Sequence, residues 1–481
     1  MATPIPLNRC RFTAAEIIRA TGASPAGGFD GATAAVGIDT RALAPGALFV
    51  ALRGLRDGHD FLAIAAQRGA AAAIVERGRA NPALPCFEVD ETLAALGALA
   101  HFHLHRIRGP HNPPVIAIGG AVGKTTTKEL TAALARALYG EILATPGNLN
   151  NLIGVPMTIL TLSGAERAVV LECGTNRTGE IARLAAIVEP DVALALNADI
   201  EHTEGLGSLE GVADEEAALF STARIAVFAP GETMIAERAP AGLAQVKFGA
   251  KADTDVRLAS RVVVAPGRQR IALALKRAMT ALGVEPALEA TLGLIGAAAA
   301  MNAAAAVAAV IAAYGRPLGR EQITAMARAL ATVEPVAGRL ATRTISGVVA
   351  IDDSYNANPR SVRAALEAAR ETANSLRGRL IVTLGDMLEL GAFAPAMHQA
   401  AIEDLRSARA DAAVLVGAEF AAALERLGPS ARGAIAATVA TASDSAGAGA
   451  IVSAIVRPGD ILLVKGSRGI AMEQIIAALE Q

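Results

Sequence analysis

Val115-Ile116-Ala117-Ile118-Gly119-Gly120-Ala121-Val122-Gly123-Lys124-Thr125-Thr126-Thr127 is the stretch that decides the fold. Pro113-Pro114 breaks the chain just before it, and the apolar run that follows reads as a short buried strand. A glycine-rich turn comes next, and from Lys124 to about Tyr139 the pattern is helical. A turn of this kind aims backbone N–H groups at phosphate oxygens, and the helix N-terminus adds the positive end of its dipole. Lys124 supplies charge for the β- and γ-phosphates, and the Thr125 hydroxyl suits magnesium. Gly119, Gly120, Ala121, Val122, Gly123, Lys124, Thr125 and Thr126 are therefore the expected ATP-binding positions. The loop is shorter than the common GxxxxGK[ST] spacing. The alternative is an ordinary glycine turn capped by threonine, against which stands GKT directly behind a buried strand.

Outward from this turn the same alternation repeats. Ala168-Val169-Val170-Leu171 and Val192-Ala193-Leu194-Ala195-Leu196 read as further buried strands separated by helices, which implies a mostly parallel sheet. Upstream, Ala47 to Leu52 is strand-like, a helical stretch begins near Asp60, and alanine-rich Gly69 to Val75 leads into another short strand. Beyond Val336, the runs Val348–Ile351, Leu380–Leu384, Ala413–Val416 and Ile461–Val464 alternate with helices in a doubly wound pattern. The chain's 481 residues exceed what one core organises. The expectation is an α/β fold in three domains: an N-terminal α/β module over 1–112, a central P-loop ATPase domain with a mostly parallel sheet over 113–335, and a C-terminal Rossmann-like domain over 336–481. No fixed-period repeat suggests a solenoid.

Composition narrows the class. Apolar residues make up 53% and charged residues 19%, which argues for packed cores and against extensive disorder. A net charge of -2 gives no global reason to expect nucleic acid or an acidic membrane surface as partner. Cys10, Cys86 and Cys173 form no CxxC pair and no disulfide framework, which fits a reducing cytoplasm. The N-terminus does not read as a signal peptide. Leu292 to Tyr314 is nearly uncharged and long enough to span a bilayer. Its alanines are only weakly lipophilic and Asn302 sits near its middle, so a buried, close-packed helix is expected rather than membrane insertion. A monomer is the default expectation.

Several strings, in order along the chain, resemble the Mur ligase family. Gly37-Ile38-Asp39-Thr40-Arg41 and Gly54 to Phe61 resemble its N-terminal uridine-nucleotide-binding module. Gly120-x-x-Gly123-Lys124-Thr125 is similar to its phosphate loop, and Gly147-Asn148-Leu149-Asn150-Asn151 to the segment after the phosphate-loop helix. Glu172-Cys173-Gly174 resembles its metal-binding strand end, and His202 with Gly207 to Gly211 its next element. Gly338-Arg339, Asp352 to Pro359, Gly385-Asp386-Met387-Leu388-Glu389-Leu390-Gly391 and Lys465-Gly466-Ser467-Arg468-Gly469 follow. The last three strings resemble the branch of the family that adds a dipeptide.

The resemblance implies that ATP phosphorylates the carboxylate of UDP-N-acetylmuramoyl-tripeptide, and that the amine of D-alanyl-D-alanine then displaces phosphate. Two anions meet in the first step, so cations are needed: Lys124, Arg339 and magnesium. By the same resemblance Lys124, Glu172, His202 and Arg339 are catalytic, and Thr125, Glu172, His202 and Glu216 surround the metal. Asn302, Arg339 and Asp353 contact the nucleotide. Asp39, Thr40 and Arg41 hold the uridine diphosphate end, and Asn148 and Asn151 the substrate. Plainer roles exist for each: a cap or ion pair for Glu172, a structural hydrogen bond for His202, a hinge salt bridge for Arg339, and a simple turn for Asp39 to Arg41.

Three departures from the family pattern stand out. Gly119, Ala121 and Val122 replace hydroxyl and amide side chains of the loop. Glu216 falls where a carbamylated lysine is expected; its plainer reading is a solvated helix face shared with Asp214 and Glu215. Ala298-Ala299 replaces the usual His-Asn at the adenine, leaving Asn302. These changes keep two alternatives open: a ligase of another acid and amine, and a weakly catalytic nucleotide- or UDP-sugar-binding protein.

Overall fold

Three sheets organise the computed structural model, which describes residues 3–480 apart from 201, 202, 284, 429–432 and 434. The first holds β1 (Ser24–Ala26), β2 (Val36–Gly37), β3 (Leu48–Val50), β4 (Ala72–Glu76) and β5 (Cys86–Val89), in the order β1-β5-β4-β3-β2 with only β1 antiparallel. Helix Thr92–His111 follows and fastens this sheet to the next part of the chain. His103 donates from Nε2 to the Leu162 carbonyl at 2.9 Å, and Arg108 pairs with Asp191 at 2.7 Å.

The second sheet has nine strands: β6 (Val115–Gly119), β7 (Ile142–Ala144), β8 (Ala168–Glu172), β9 (Val192–Ala195), β10 (Ile225–Phe228), β11 (Ala244–Gly249), β12 (Val256–Ala265), β13 (Arg268–Leu275) and β14 (Ala287–Leu292). Their order is β14-β13-β12-β11-β10-β9-β6-β8-β7. Every residue of β6, β8 and β9 is buried, as in a parallel sheet covered on both faces. The far edge was not expected from the sequence. There β12, β13 and β14 run antiparallel, and β13 and β14 alternate between more exposed and buried residues. One face meets the core and the other water, so these strands carry a period-two pattern rather than an apolar run.

The alanine-rich stretch forms helix Gly296–Tyr314, and every residue from Ala303 to Val310 is fully buried. It is long and apolar enough to cross a membrane by composition alone, yet it is the core helix of the central sheet, as the sequence reading expects. Its small side chains let it lie close against helix Lys124–Tyr139, and the Tyr139 and Tyr314 rings meet edge-on at 5.9 Å.

The third sheet comprises β15 (Ala341–Ile345), β16 (Val348–Asp353), β17 (Leu380–Gly385), β18 (Ala412–Val416), β19 (Thr438–Ala442) and β20 (Ile461–Lys465), in the order β15-β16-β20-β17-β18-β19 with only β15 antiparallel. Arg261 on β12 grips Glu371 on helix Pro359–Leu376 with two bonds of 2.7 and 2.5 Å, tying the third sheet's layer to the second. The carboxyl ends of β6, β8, β16 and β20 all open on the gap between these two sheets, the position where doubly wound sheets bind ligands.

Candidate active site

A cavity of about 500 Å³ fills that gap. The phosphate loop forms one wall. Gly120 has φ +130°, and a Cβ there would stand 2.7 Å from the Leu196 Cβ, so only glycine closes the turn. Asn197 staples the loop from the end of β9. It accepts from the Val122 N–H at 2.8 Å, donates to the Val122 carbonyl at 2.9 Å, and its own carbonyl accepts from the Ala121 N–H at 3.0 Å. The loop's shape therefore does not need hydroxyl side chains at positions 121 and 122. The Lys124 ammonium folds back across the loop and donates to the carbonyls of Gly120 at 2.5 Å and Ala121 at 3.2 Å. Thr126 lines the same wall.

Glu172, at the end of β8, is the floor. Its Oε1 accepts from the Thr125 hydroxyl at 3.1 Å and from Asn150 Nδ2 at 2.8 Å. Its Oε2 is buried and has no hydrogen-bond partner among the described residues. Burial, then the charges of Glu172 and Glu216, push the neighbouring Cys173 thiol well above its usual pKa, so the floor is electronegative. An orphaned carboxylate oxygen beside a hydroxyl, in a negative field, fits a hard divalent cation such as magnesium. His202 lies outside the described residues.

Helix Leu209–Ala217 corrects the reading of its acidic triplet. Asp214 is exposed and pairs with Arg238 at 2.6 Å, but Glu215 and Glu216 are buried. Glu215 accepts from the N–H groups of Gly179 and Ile181, both at 2.7 Å, and so caps helix Glu180–Val188. Glu216 Oε2 accepts from the Gly120 N–H at 2.5 Å, beneath the phosphate loop. The plainer alternative, a solvated face shared by all three, holds only for Asp214, because the helix packs the other two carboxylates inward against backbone donors.

The third sheet supplies the opposite wall. Asp353 ends β16 with both oxygens engaged: Oδ2 with Lys465 Nζ at 2.6 Å and Oδ1 with the Leu340 N–H at 3.0 Å. It thus anchors the turn that carries Arg339. The Arg339 guanidinium lies over the Tyr355 ring, 4.3 Å from its centroid, and makes no ion pair among the described residues. The expected alternative, a hinge salt bridge, is absent there. Asn302 reaches the cavity from the alanine-rich helix, so close that a Cβ on Gly123 would come within 2.9 Å of its Oδ1. Ala298 and Ala299 line the wall beside it.

The remaining expected residues divide. Asn148 accepts from the Thr3 hydroxyl at 2.7 Å and donates to the Tyr355 hydroxyl at 3.2 Å, joining the N-terminal segment to the third sheet's layer. Asn151 lines the cavity, but its Oδ1 accepts from the N–H groups of Ile153 and Gly154, starting the short helix that follows. Asp39, Thr40 and Arg41 do not line this cavity. Asp39 caps a short turn and takes Arg41 in a fork of 3.0 and 2.6 Å, whose hydrogen bonds hold its carboxyl below the usual range. Asn150, Asn197, Glu215, Tyr355 and Lys465 were not singled out from the sequence. A polar residue ending a wholly apolar strand, as Lys465 ends β20 and Asn197 follows β9, is the signal that would have found two of them.

The C-terminal strings also meet. Asn356 to Asn358, Leu388 to Leu390 and Ser467 to Gly469 line a second, small cavity, with the Leu388 N–H donating to Ser467 Oγ at 2.9 Å.

A strand-turn-helix phosphate loop facing a second doubly wound sheet across a carboxylate floor is the arrangement of an ATP-dependent ligase, and the chain belongs to the Mur ligase family. Residues 118–310 match the Mur ligase middle domain, 338–468 the Mur ligase glutamate ligase domain, and 33–104 the Mur ligase family catalytic domain. The chain is similar to the UDP-N-acetylmuramoyl-tripeptide–D-alanyl-D-alanine ligase of Escherichia coli K12, with 35% identity across 93% of this chain and 94% of the relative. The same-named ligase of Mycobacterium tuberculosis H37Rv is 32% identical across 93% and 92%. Among solved structures, MurF from Acinetobacter baumannii superposes with a TM-score of 0.85 at 27% identity, covering 99% of this chain and 100% of that one. The MurF ligase of Thermotoga maritima in complex with ADP gives 0.76 at 26% identity, covering 92% and 96%.

Proposed function

We propose that this chain joins D-alanyl-D-alanine to UDP-N-acetylmuramoyl-tripeptide, with ATP converted to ADP and phosphate through an acyl phosphate. The observation that carries the reading is the buried Glu172 Oε2, without a partner among the described residues, beside Thr125 on the floor of a cavity whose far wall presents Arg339. Lys124 and the N–H groups from Gly123 to Thr126, at the N-terminus of helix Lys124–Tyr139, hold the β- and γ-phosphates, since those of Gly120, Ala121 and Val122 are taken by Glu216 and Asn197. Arg339, braced on Tyr355 and without an ion pair among the described residues, meets the transferring phosphoryl group from the other sheet. Asn302 stands beside the loop where the nucleotide enters. Thr125 and Glu172, with His202, would hold magnesium, which supplies charge neutralisation between the two anions. Glu216 stays outside the metal set: its carboxylate braces Gly120.

Asp39, Thr40 and Arg41 take the uridine end, with Asn148 and Asn151 along the path to the cavity. The small cavity formed by the three C-terminal strings receives the dipeptide. The domain limits 1–112, 113–335 and 336–481 and a cytoplasmic, monomeric state belong to the same proposal. The test is ADP release by the full chain with ATP and magnesium. ADP should form only when both UDP-N-acetylmuramoyl-tripeptide and D-alanyl-D-alanine are present. Release with some other acid and amine, or none at all, would overturn the reading.

A further inference from the structure

Helix Thr92–His111 carries His101 and His105 one turn apart, hence on one face, and their ring centroids lie 4.3 Å from each other. Glu189 stands opposite, at the C-terminal end of helix Glu180–Val188, where a left-handed φ of 39° ends the helix. Its Oε2 lies 3.0 Å from His105 Nε2, and one donor atom from each of the three side chains lies within 4.8 Å of the other two. His101 Nδ1 sits 3.1 Å from the Ile187 carbonyl. A carbonyl only accepts, so Nδ1 carries the proton and Nε2 keeps the lone pair a cation needs. None of these residues lines the active-site cavity.

We propose that His101, His105 and Glu189 form a second metal site, for a late first-row divalent cation such as zinc, that clamps the N-terminal helix to the central domain. Two imidazoles and a carboxylate match zinc, which binds such donors at about 2.0–2.2 Å, whereas magnesium disfavours imidazole. A fourth coordination position opens on a surface cavity lined by His105, Arg108, Glu189 and Arg224. The two guanidiniums oppose a cation, but Asp191 lies between them, 2.7 Å from Arg108 and 3.5 Å from Arg224, and offsets their charge. The remaining open position suits water or a small anion.

Calorimetry with zinc chloride on the metal-stripped full chain, in magnesium-containing buffer, tests the site. One equivalent of zinc should bind, and the unfolding midpoint should rise with it. His105→Gln and Glu189→Gln should each weaken that binding by more than about tenfold, since even losing an outer-shell partner costs that much. Ligase turnover in zinc-free buffer should stay unchanged in both variants. Cobalt(II) should give the visible absorption of a four-coordinate site, absent from both variants. No zinc uptake, or uptake that survives both substitutions, overturns the proposal.

Discussion

The Glu216 carboxylate and the Gly120 amide meet at 2.5 Å beneath the phosphate loop, inside a wall that has to receive anions. A glutamate brings its own carboxyl group to that place, so no carbamate has to form there. Turnover should therefore be insensitive to removal of bicarbonate. Glu216→Ala leaves a buried N–H without this acceptor, a loss of about 1–3 kcal/mol, and should lower kcat/KM for ATP roughly ten- to a hundredfold. Glu216→Gln keeps an acceptor oxygen and should lose less than about tenfold, with its magnesium dependence unchanged. Steady-state ADP release checks all three, and reversible inactivation by bicarbonate depletion would show that a lysine elsewhere is carbamylated.

Lys124→Ala should abolish most acyl-phosphate formation while leaving the fold intact. Among the described residues the ammonium is held by two loop carbonyls, and Asn197 shapes the loop independently. Losing its charge opposite the phosphates should cost on the order of 10² to 10³ in kcat. Single-turnover assays with circular dichroism as control decide this; a folded variant with near-normal turnover sinks the role.

Tyr355 separates two jobs in one side chain. Its ring supports Arg339 and its hydroxyl accepts from Asn148. Tyr355→Phe keeps the ring and should change kcat/KM for ATP by less than about fivefold, as expected for one exposed hydrogen bond. Tyr355→Ala removes the stacking surface, worth about 0.5–2 kcal/mol, and should cost roughly a further tenfold. Equal effects of the two changes would place the importance in the hydroxyl instead.

Acid should loosen the helix that fastens the N-terminal sheet. Burial pushes His103 down to about 4, and its surroundings fix the neutral form: Arg106 donates to Nδ1 while Nε2–H donates to Leu162. The unfolded chain takes up this proton near its reference value of about 6.5, before the folded one does. Stability from this site is therefore complete above that value and is lost as pH falls towards 4, by up to roughly 3 kcal/mol. Urea titrations between pH 7 and 4.5 should show the slope, and His103→Gln should flatten it.

Much of this molecule was legible in the chain because parallel strands buried on both faces are continuous apolar runs. β6, β8, β9, β17, β18 and β20 each stand out that way. The strands β12 to β14 did not, since half of each strand's side chains face water and their signal is a weaker alternation. Within the site, Lys124, Thr125, Glu172 and Arg339 were readable from local strings, and the described residues among those strings gather on one cavity. The plainer alternative for Glu215 and Glu216, a solvated face, failed because helix polarity was judged without knowing which backbone N–H groups the helix would meet. Asn197 was invisible for a related reason: its partner Val122 is 75 residues away in sequence.

The folded-back Lys124 makes the loop its own first ligand. Nucleotide does not enter a vacant cradle; it competes with two carbonyls that already satisfy the ammonium. That competition subtracts about 1–3 kcal/mol, roughly a tenfold to hundredfold weakening, from the loop's intrinsic hold on any phosphate. The exchange costs a lone phosphate and a triphosphate the same, so it lowers both affinities by one factor and leaves their ratio to the base and ribose contacts. The lysine thus acts as a built-in threshold: a ligand must bring binding from beyond the loop to occupy it at a given concentration.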